Sequence, residues 1–164
     1  TDYALWGGQI TFDTDTTWHV DVDTDPTAGT YDLFSVAIHE IAHVLGMGQA
    51  GTWVNTYSSE GNFTGPAATA EYGGMIPLNP EGGHWAAGTM SVLPGTETAQ
   101  EAAMDPNITS GTRKYFTELD WAGLSDVGWE ISAVPEPEEY ALFAGIGLVV
   151  FAAVRRSRNR RMAG

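Results

Sequence analysis

Residues 32–46 read DLFSVAIHEIAHVLG, and this stretch decides the fold. Asp32 can cap the amino end of a helix, and Gly46 can adopt the left-handed conformation that commonly ends one. Nine of the thirteen residues from 33 to 45 are apolar, and they occupy nearly every face of such a helix. A helix that is apolar almost all round belongs inside a protein. The stretch therefore predicts a buried helix over residues 33–45.

The same helix carries the pentapeptide His39-Glu40-Ile41-Ala42-His43. Histidines at positions i and i+4 lie one above the other on a helix face, so both imidazoles can bind one tetrahedral Zn²⁺. Glu40 is turned by about 100° from His39, where it can reach a water molecule held by that ion. Zinc lowers the pKa of such a water towards about 7, and a carboxylate can take its proton during attack on a carbonyl. The pattern predicts Glu40 as the general base of a zinc-dependent hydrolase.

A catalytic zinc site needs a third protein ligand and one open position. The glycine-turn form of the motif, used by metzincins, would place that ligand at residue 49, which is a glutamine and a poor zinc ligand. His19 follows Trp18 in an apparent strand, beside Asp21, and this position is typical of a surface residue. Neither residue is therefore favoured as the third ligand.

The remaining histidine, His84, lies in the glycine-rich turn Gly82-Gly83-His84-Trp85. Glycines let the backbone of a turn approach another element closely. We predict His84 as the third zinc ligand. The alternative is a carboxylate, Glu71 or Glu81, as in gluzincins.

Outside the central helix, the pattern predicts few regular elements. Short alternating or β-branched runs favour strands at Gln9–Phe12 and Trp18–Val22. Residues 46–112 are rich in glycine, alanine, proline and asparagine and show no strong periodicity. Thr117 and Asp120 form a capping-box-like pair that predicts a last helix, which ends at Gly128.

Several motifs follow one another downstream of Gly46, and together they resemble the bacterial leishmanolysin-like metzincins over about residues 33–131. The resemblance implies that an insertion displaces the third histidine to His84, and that Met104 forms the Met-turn beneath the zinc. It implies an α+β fold of the metzincin-like zincin type, with a small twisted sheet, an active-site helix, a Met-turn and a C-terminal helix. Residues 8–12 are then the candidate edge strand for substrate. The motifs are Phe63-Thr64-Gly65-Pro66-Ala67, Tyr72-Gly73-Gly74, Ile76-Pro77-Leu78, Gly82-Gly83-His84-Trp85, Ala103-Met104-Asp105-Pro106 and Leu119-Asp120-Trp121-Ala122-Gly123-Leu124-Ser125-Asp126-Val127-Gly128-Trp129.

Composition excludes several other classes of protein. The chain of 164 residues has no cysteine, which rules out a disulfide scaffold, a thiolate nucleophile and a cysteine-rich zinc module. Its formal net charge is −14, so the bulk of the chain cannot assemble the basic face of a nucleic-acid-binding protein.

The last thirty residues differ in charge from the rest. Residues 1–134 carry two basic residues against 18 acidic ones, a net charge of −16, whereas residues 135–164 carry five against three, a net charge of +2. An apolar run of 15 residues, 140–154, precedes an arginine cluster. It would span about 22 Å as a helix, and we predict it as a short transmembrane segment with the arginines on the cytoplasmic side. A hydrophobic helix packed on the domain is the alternative.

This tail resembles the PEP-CTERM sorting signal of Gram-negative bacteria, since Pro135-Glu136-Pro137 precedes the short span and its basic end. The resemblance implies export, processing by an exosortase, transient anchoring in the inner membrane, and a cell-surface or extracellular location. We therefore predict a catalytic domain over residues 1–134 and a sorting and anchor segment over residues 135–164. The chain begins Thr1-Asp2-Tyr3 without a leader, and we expect its catalytic domain to be incomplete at the amino end.

A calcium site in the acidic loop before the helix is a weaker prediction. Asp21, Asp23, Asp25 and Asp32 fall at positions 1, 3, 5 and 12 of an EF-hand-like loop, but Pro26 stands where that loop needs glycine. A solvated acidic face is the simpler interpretation.

The sequence thus predicts a zinc-dependent endopeptidase that hydrolyses peptides or proteins, with His39, His43 and His84 as ligands and Glu40 as base. The rival hypothesis is a surface or matrix protein that holds metal without catalysis. Glu40 would be dispensable in such a structural site, which favours the enzyme.

Overall fold

The computed structural model describes residues 7–132. These residues form an α+β fold of short strands and four helices. In chain order the elements of this range are β1 (Trp18–His19), β2 (Tyr31–Asp32), α1 (Leu33–Val44), α2 (Gly51–Val54), β3 (Asn62–Phe63), α3 (Pro66–Tyr72), β4 (Ile76–Pro77), β5 (Met90–Val92), β6 (Ala99–Glu101) and α4 (Glu118–Val127).

The strands do not form the single small twisted sheet that was predicted. They pair as three separate two-stranded sheets: β1 with β2 in parallel, β3 with β4 antiparallel, and β5 with β6 antiparallel. Each strand is only two or three residues long. Turns interrupt the chain too often for longer ladders to pair.

The two strands predicted near the amino end are also corrected. Residues 9–12 adopt no regular structure, and the predicted strand Trp18–Val22 shortens to β1. Its apolar alternation does not mark a buried face, because Val20 is 70% exposed. The chain turns instead after β1, where the Asp21 carboxylate accepts a hydrogen bond from the Asp23 N–H.

The predicted fold class also included a transmembrane segment, and that part is corrected. No helix within residues 7–132 is long and apolar enough to cross a membrane. The predicted span itself, residues 140–154, lies outside the described residues, as does most of the predicted sorting segment. The described fold is α+β with small sheets.

Both predicted helices are present, and their caps follow from the sequence. Helix α1 begins after Asp32, whose carboxylate accepts from the Ser35 N–H at 3.0 Å, and the chain turns away at Gly46 with φ of 111°. Helix α4 begins with a capping box between Thr117 and Asp120 and ends at Gly128 in the left-handed conformation. The side-chain caps satisfy backbone N–H groups that would otherwise lack a partner.

Burial of α1 is less complete than predicted. Its histidine-bearing side packs inward, with His39 and Ala42 buried, but Ile41 is 44% exposed. Phe34, Ile38, Ile41 and Leu45 line an open apolar groove. The helix is therefore buried on one side only.

The core is built around three aromatic rings contributed by distant parts of the chain. Trp53, Phe63 and Trp85 are fully buried, with ring centroids 4.3 to 5.4 Å apart. Such contacts add to the free energy of burial when the rings are tilted or edge to face. Because Trp85 follows His84 directly, the core fixes the backbone of the predicted third ligand.

Candidate metal centre

Three histidines converge at the inner side of α1. His39 and His43 come from one face of the helix, and His84 comes from the turn between β4 and β5. The Nε2 atom of His84 lies 3.0 Å from that of His43 and 3.1 Å from that of His39. The three residues form a group able to hold a metal ion, with ligand atoms within 4.8 Å of one another.

The hydrogen bonds of the helical histidines point their Nε2 lone pairs into this group. His39 Nδ1 lies 2.7 Å from the Ala103 carbonyl oxygen, and His43 Nδ1 lies 2.9 Å from the Met47 carbonyl oxygen. A carbonyl oxygen only accepts hydrogen bonds, so each Nδ1 must carry the hydrogen and each Nε2 is a free acceptor. Converging lone pairs repel unless a cation lies between them, and this is the arrangement of metal-binding histidines.

The donor set fits zinc. Nitrogen ligands of a tetrahedral zinc ion lie about 3.3 Å apart, close to the Nε2 separations here. Burial is the main cause that lowers the pKa of His39 and His84, and the neighbouring histidines add to it; the pKa of His84 falls to about 4. Both imidazoles are therefore neutral at pH 7, which is the form that binds a metal.

The turn that carries His84 comes close to the end of α1 because position 48 is a glycine. Gly48 has φ of 79°, and a Cβ atom there would lie 2.2 Å from the Gly83 carbonyl oxygen. Any larger residue at position 48 would push the turn, and with it His84, away from the two helical histidines.

Asn79 holds His84 from the other side. Its side-chain oxygen accepts from the His84 N–H at 3.1 Å, and its backbone N–H donates to the His84 carbonyl at 3.0 Å. The amide nitrogen of Asn79 donates to Glu81 at 2.8 Å and lies 3.4 Å from His84 Nδ1. Sequence reasoning missed Asn79, and the available signal was only the general preference of asparagine for turns, where its side chain bonds to nearby backbone groups.

Glu40 lies beside the histidine group, at the wall of an open cleft of about 570 Å³. The cleft is also lined by His43, Gln49 and residues 7–10. A carboxylate next to a metal-binding group and open to solvent can exchange protons with a bound reactant.

The comparisons with known proteins agree with this chemistry. Residues 2–52, which include the helical histidines, match the family model described as Matrixin. Over 43 residues the chain is 46% identical to Metalloendoproteinase 4-MMP of Arabidopsis thaliana, a match that covers 26% of this chain and 13% of the plant protein. The matched segment contains α1 and both helical histidines, and its similarity to a matrixin and to a metalloendoproteinase supports a zinc site of the metzincin type. No solved structure matches the chain.

The three-histidine centre is held in place by a buried carboxylate, Asp120, for which the sequence indicated only a capping role. Asp120 accepts five hydrogen bonds. Two come from Thr117, one from the Trp85 indole at 3.0 Å, and one each from the N–H groups of Ala103 and Met104. Because the Ala103 carbonyl holds His39 and Trp85 follows His84, this one carboxylate joins helix α4 to two of the three histidines.

Met104, predicted as the Met-turn residue, is fully buried in the core. Its carbonyl accepts from the Trp85 N–H at 3.1 Å, and its neighbour Ala103 bonds to His39. The backbone at Ala103 and Met104 therefore contacts both His39 and Trp85, the residue that follows His84.

The other candidate residues do not join the three histidines. His19 bonds to the Thr24 carbonyl at 2.9 Å, Glu71 is exposed on α3, and Glu81 accepts from Asn79. None of these belongs to the metal-capable group found among residues 7–132.

The loop weighed for calcium is held by an arginine. The guanidinium of Arg113 donates to the carbonyls of Asp21 and Val22 at 2.8 and 2.6 Å, and to both carboxylate oxygens of Asp32. The Asp32 carboxylate, at position 12 of the EF-hand-like pattern, is thus already bonded to a cationic side chain, so the structure lends no support to a calcium site here.

Proposed function

We propose that this chain is a zinc-dependent endopeptidase in which His39, His43 and His84 hold the ion. The observation that carries the proposal is the convergence of three Nε2 atoms next to Glu40 in an open cleft. When bound, zinc supplies a Lewis acid that polarises a carbonyl and makes water a stronger acid.

Glu40 is the general base and proton carrier in this proposal. Its carboxylate takes a proton from the attacking water as the new C–O bond forms, and it delivers that proton to the amine nitrogen as the C–N bond breaks. Residues 7–10 line the same cleft as Glu40, and their backbone can hold an extended peptide over this carboxylate.

We further propose that the chain is a metzincin of the leishmanolysin-like type. Two structural features support it: Gln49 stands where the compact motif has its third ligand, and a long insertion returns the chain to the site at His84. Met104 serves as the Met-turn in this scheme, because its backbone links Trp85 to the carbonyl that orients His39.

Export rests on the tail sequence alone. We infer from Pro135-Glu136-Pro137 and the terminal arginine cluster that residues 135–164 are a PEP-CTERM sorting segment, removed by an exosortase-type enzyme. Residues 1–134 would then act at the cell surface or outside the cell. Their strongly acidic composition suits a protein that must stay soluble there.

The decisive experiment removes the base and keeps the metal site. Glu40→Gln should lower kcat on an unfolded casein substrate by about 10³-fold, because a positioned general base contributes that order of rate. The variant should retain one zinc per chain by metal analysis. The matched control Glu71→Gln, on the exposed face of α3, should leave kcat unchanged.

Equal cleavage by wild type and Glu40→Gln would refute the peptidase and favour a metal-holding protein. A second pair of variants tests the ligand. His84→Ala should lose zinc at a concentration where Glu71→Ala retains it, and full zinc retention in His84→Ala would refute the proposed ligand set.

A further inference from the structure

A second cleft adjoins Glu40 on the opposite side from the histidines. Its volume is about 370 Å³, which is within the range of small binding sites. Gln9, Ile10 and Glu40 line both clefts. Along α1, the larger cleft reaches Val44, one turn after Glu40, and the smaller cleft reaches Val36, one turn before it. If Glu40 acts at the scissile bond of a bound peptide, the residues on one side of that bond would lie in the larger cleft and those on the other side would lie in the smaller cleft.

The linings of the two clefts differ in chemistry. Apart from Glu40 and His43, the larger cleft is lined by uncharged residues, most of them glycines or small apolar side chains. The smaller cleft adds a carboxylate, Asp13, and two aromatic rings, Phe12 and Trp18. The rings pack edge to face with centroids 5.9 Å apart and an interplanar angle of 88°.

Asp13 is charged and pairs with no cationic side chain among residues 7–132. Its carboxylate oxygens accept from the Asp15 N–H at 2.8 Å and the Thr16 hydroxyl at 2.9 Å, and these bonds hold its pKa below the usual value. None of the ion pairs found among residues 7–132 includes Asp13. The carboxylate is exposed beside aromatic rings, a combination that attracts a cation both by charge and through the ring faces.

No arginine or lysine on the described part of the chain is available to pair with Asp13. The two basic residues of this range, Arg113 and Lys114, are both engaged: Arg113 pairs with Asp32 at 2.8 Å, and Lys114 pairs with Glu101 at 2.6 Å. Seventeen carboxylates share the same range of residues. The resulting negative field raises the local concentration of cationic substrates and speeds their association.

We propose that the smaller cleft is a specificity subsite that accepts a lysine or arginine side chain next to the scissile bond. The inference rests on the proposed peptidase activity. Asp13 pairs with the cationic head, and Phe12 and Trp18 cover its aliphatic stem. The class of substrate is therefore a basic peptide or protein segment.

The test uses the zinc-loaded protein and a set of quenched fluorescent peptides. Each peptide carries one arginine, moved through the three positions on each side of the bond, and each has a partner with glutamine in its place. At one position we expect kcat/KM to be about fivefold to tenfold higher for arginine than for glutamine, the size of an exposed ion pair with a cation–π contact. The ratio should shrink as ionic strength rises from about 0.02 to about 0.5 M.

Asp13→Asn should bring that ratio close to one, because the charge is lost while the local contacts can be kept: the amide oxygen can accept from the Asp15 N–H, and the amide NH₂ can donate to the Thr16 hydroxyl. The matched control is Asp23→Asn, which makes the same change in net charge at an exposed carboxylate that lines neither cleft. The control should keep most of the preference. If both variants lose it equally, or if wild type shows no preference at any position, the subsite is refuted.

A binding measurement separates this inference from the proposed activity. Zinc-loaded Glu40→Gln should bind the fluorescent arginine peptide about fivefold more tightly than the glutamine peptide by anisotropy. Preferential binding without cleavage by wild type would refute the peptidase but keep the subsite. Cleavage of both peptides at equal rates, with equal binding, would refute the subsite but keep the peptidase.

Discussion

The two walls of the candidate site are built in different ways. The downstream wall, residues 79–85 and 102–105, is held by buried hydrogen bonds that converge on Asp120 and by packing in the aromatic core. The upstream wall, residues 9–18, is mostly exposed, and the side-chain hydrogen bonds found within it are local ones that Asp13 accepts from Asp15, Thr16 and Trp18. Under the proposed function, the downstream wall fixes the metal ligands and the upstream wall contacts the substrate.

The largest effect is expected where the downstream wall depends on one carboxylate. Asp120→Ala leaves buried donors from Trp85, Ala103 and Met104 without partners, and each unpaired donor costs about 1–3 kcal/mol. We expect the free energy of unfolding to fall by about 4 kcal/mol, measured by urea denaturation of the metal-free protein. The same change should weaken zinc binding, because the carbonyl of Ala103 no longer has a fixed position for His39.

Asp120→Asn serves as the matched variant. The amide retains one oxygen acceptor and the shape of the side chain, so it should recover part of the lost stability. A loss below about 1 kcal/mol in Asp120→Ala would be smaller than the cost of a single unpaired donor and would contradict the supporting role of this residue.

The loop that follows the upstream wall is held instead by one arginine. Arg113 joins the carbonyls of Asp21 and Val22 to the buried Asp32 carboxylate that caps α1. Arg113→Gln should lower the free energy of unfolding at pH 7 by about 3 kcal/mol, the cost of breaking a buried ion pair. Arg113→Lys keeps the charge but loses the two-pronged contact, and it should give an intermediate value.

This effect should depend on pH in a defined direction. Burial would raise the pKa of Asp32, but hydrogen bonds from Arg113 and Ser35 outweigh it, so the folded-state pKa lies below 3.8. The contribution of the ion pair is therefore complete above about pH 4 and is lost as the pH falls through the lower folded-state value. Urea curves of metal-free wild type and Arg113→Gln should converge in that acid range, and a constant difference down to pH 2 would contradict the ion pair as its cause.

The contrast between the walls also explains what the sequence could predict. His39, Glu40 and His43 share one helix, so local periodicity places them, and the caps at Asp32 and Thr117 set both helices correctly. The turn glycines pointed to His84, which the structure brings to the same place. These features depend on residues close together in the chain.

Features that depend on distant partners could not be predicted in the same way. Asp120 contacts Trp85 across 35 positions, and Arg113 contacts Asp32 across 81. The alternation at Trp18–Val22 suggested a strand, but strand length is set by what pairs with it, and β2 offers only two residues. The apolar face of α1 likewise predicted burial, although part of that face lines an open groove.

The smallest effect is expected on zinc affinity, when one hydrogen-bonding contact of His84 in the downstream wall is removed. Asn79→Ala removes the side-chain bracket of His84 while leaving all three histidines and the core in place. Residues that orient metal ligands contribute about 10-fold to 100-fold in affinity, and since one contact of Asn79 is as long as 3.4 Å we expect about a 10-fold loss. Competition with a chromogenic zinc chelator measures it, and the exposed Asn55→Ala, at the end of α2, is the control. Unfolding of the metal-free protein should shift by less than about 1 kcal/mol in both variants. Unchanged zinc affinity in Asn79→Ala would mean that Trp85 and the Gly48 contact hold His84 in place without the side-chain hydrogen bond of Asn79.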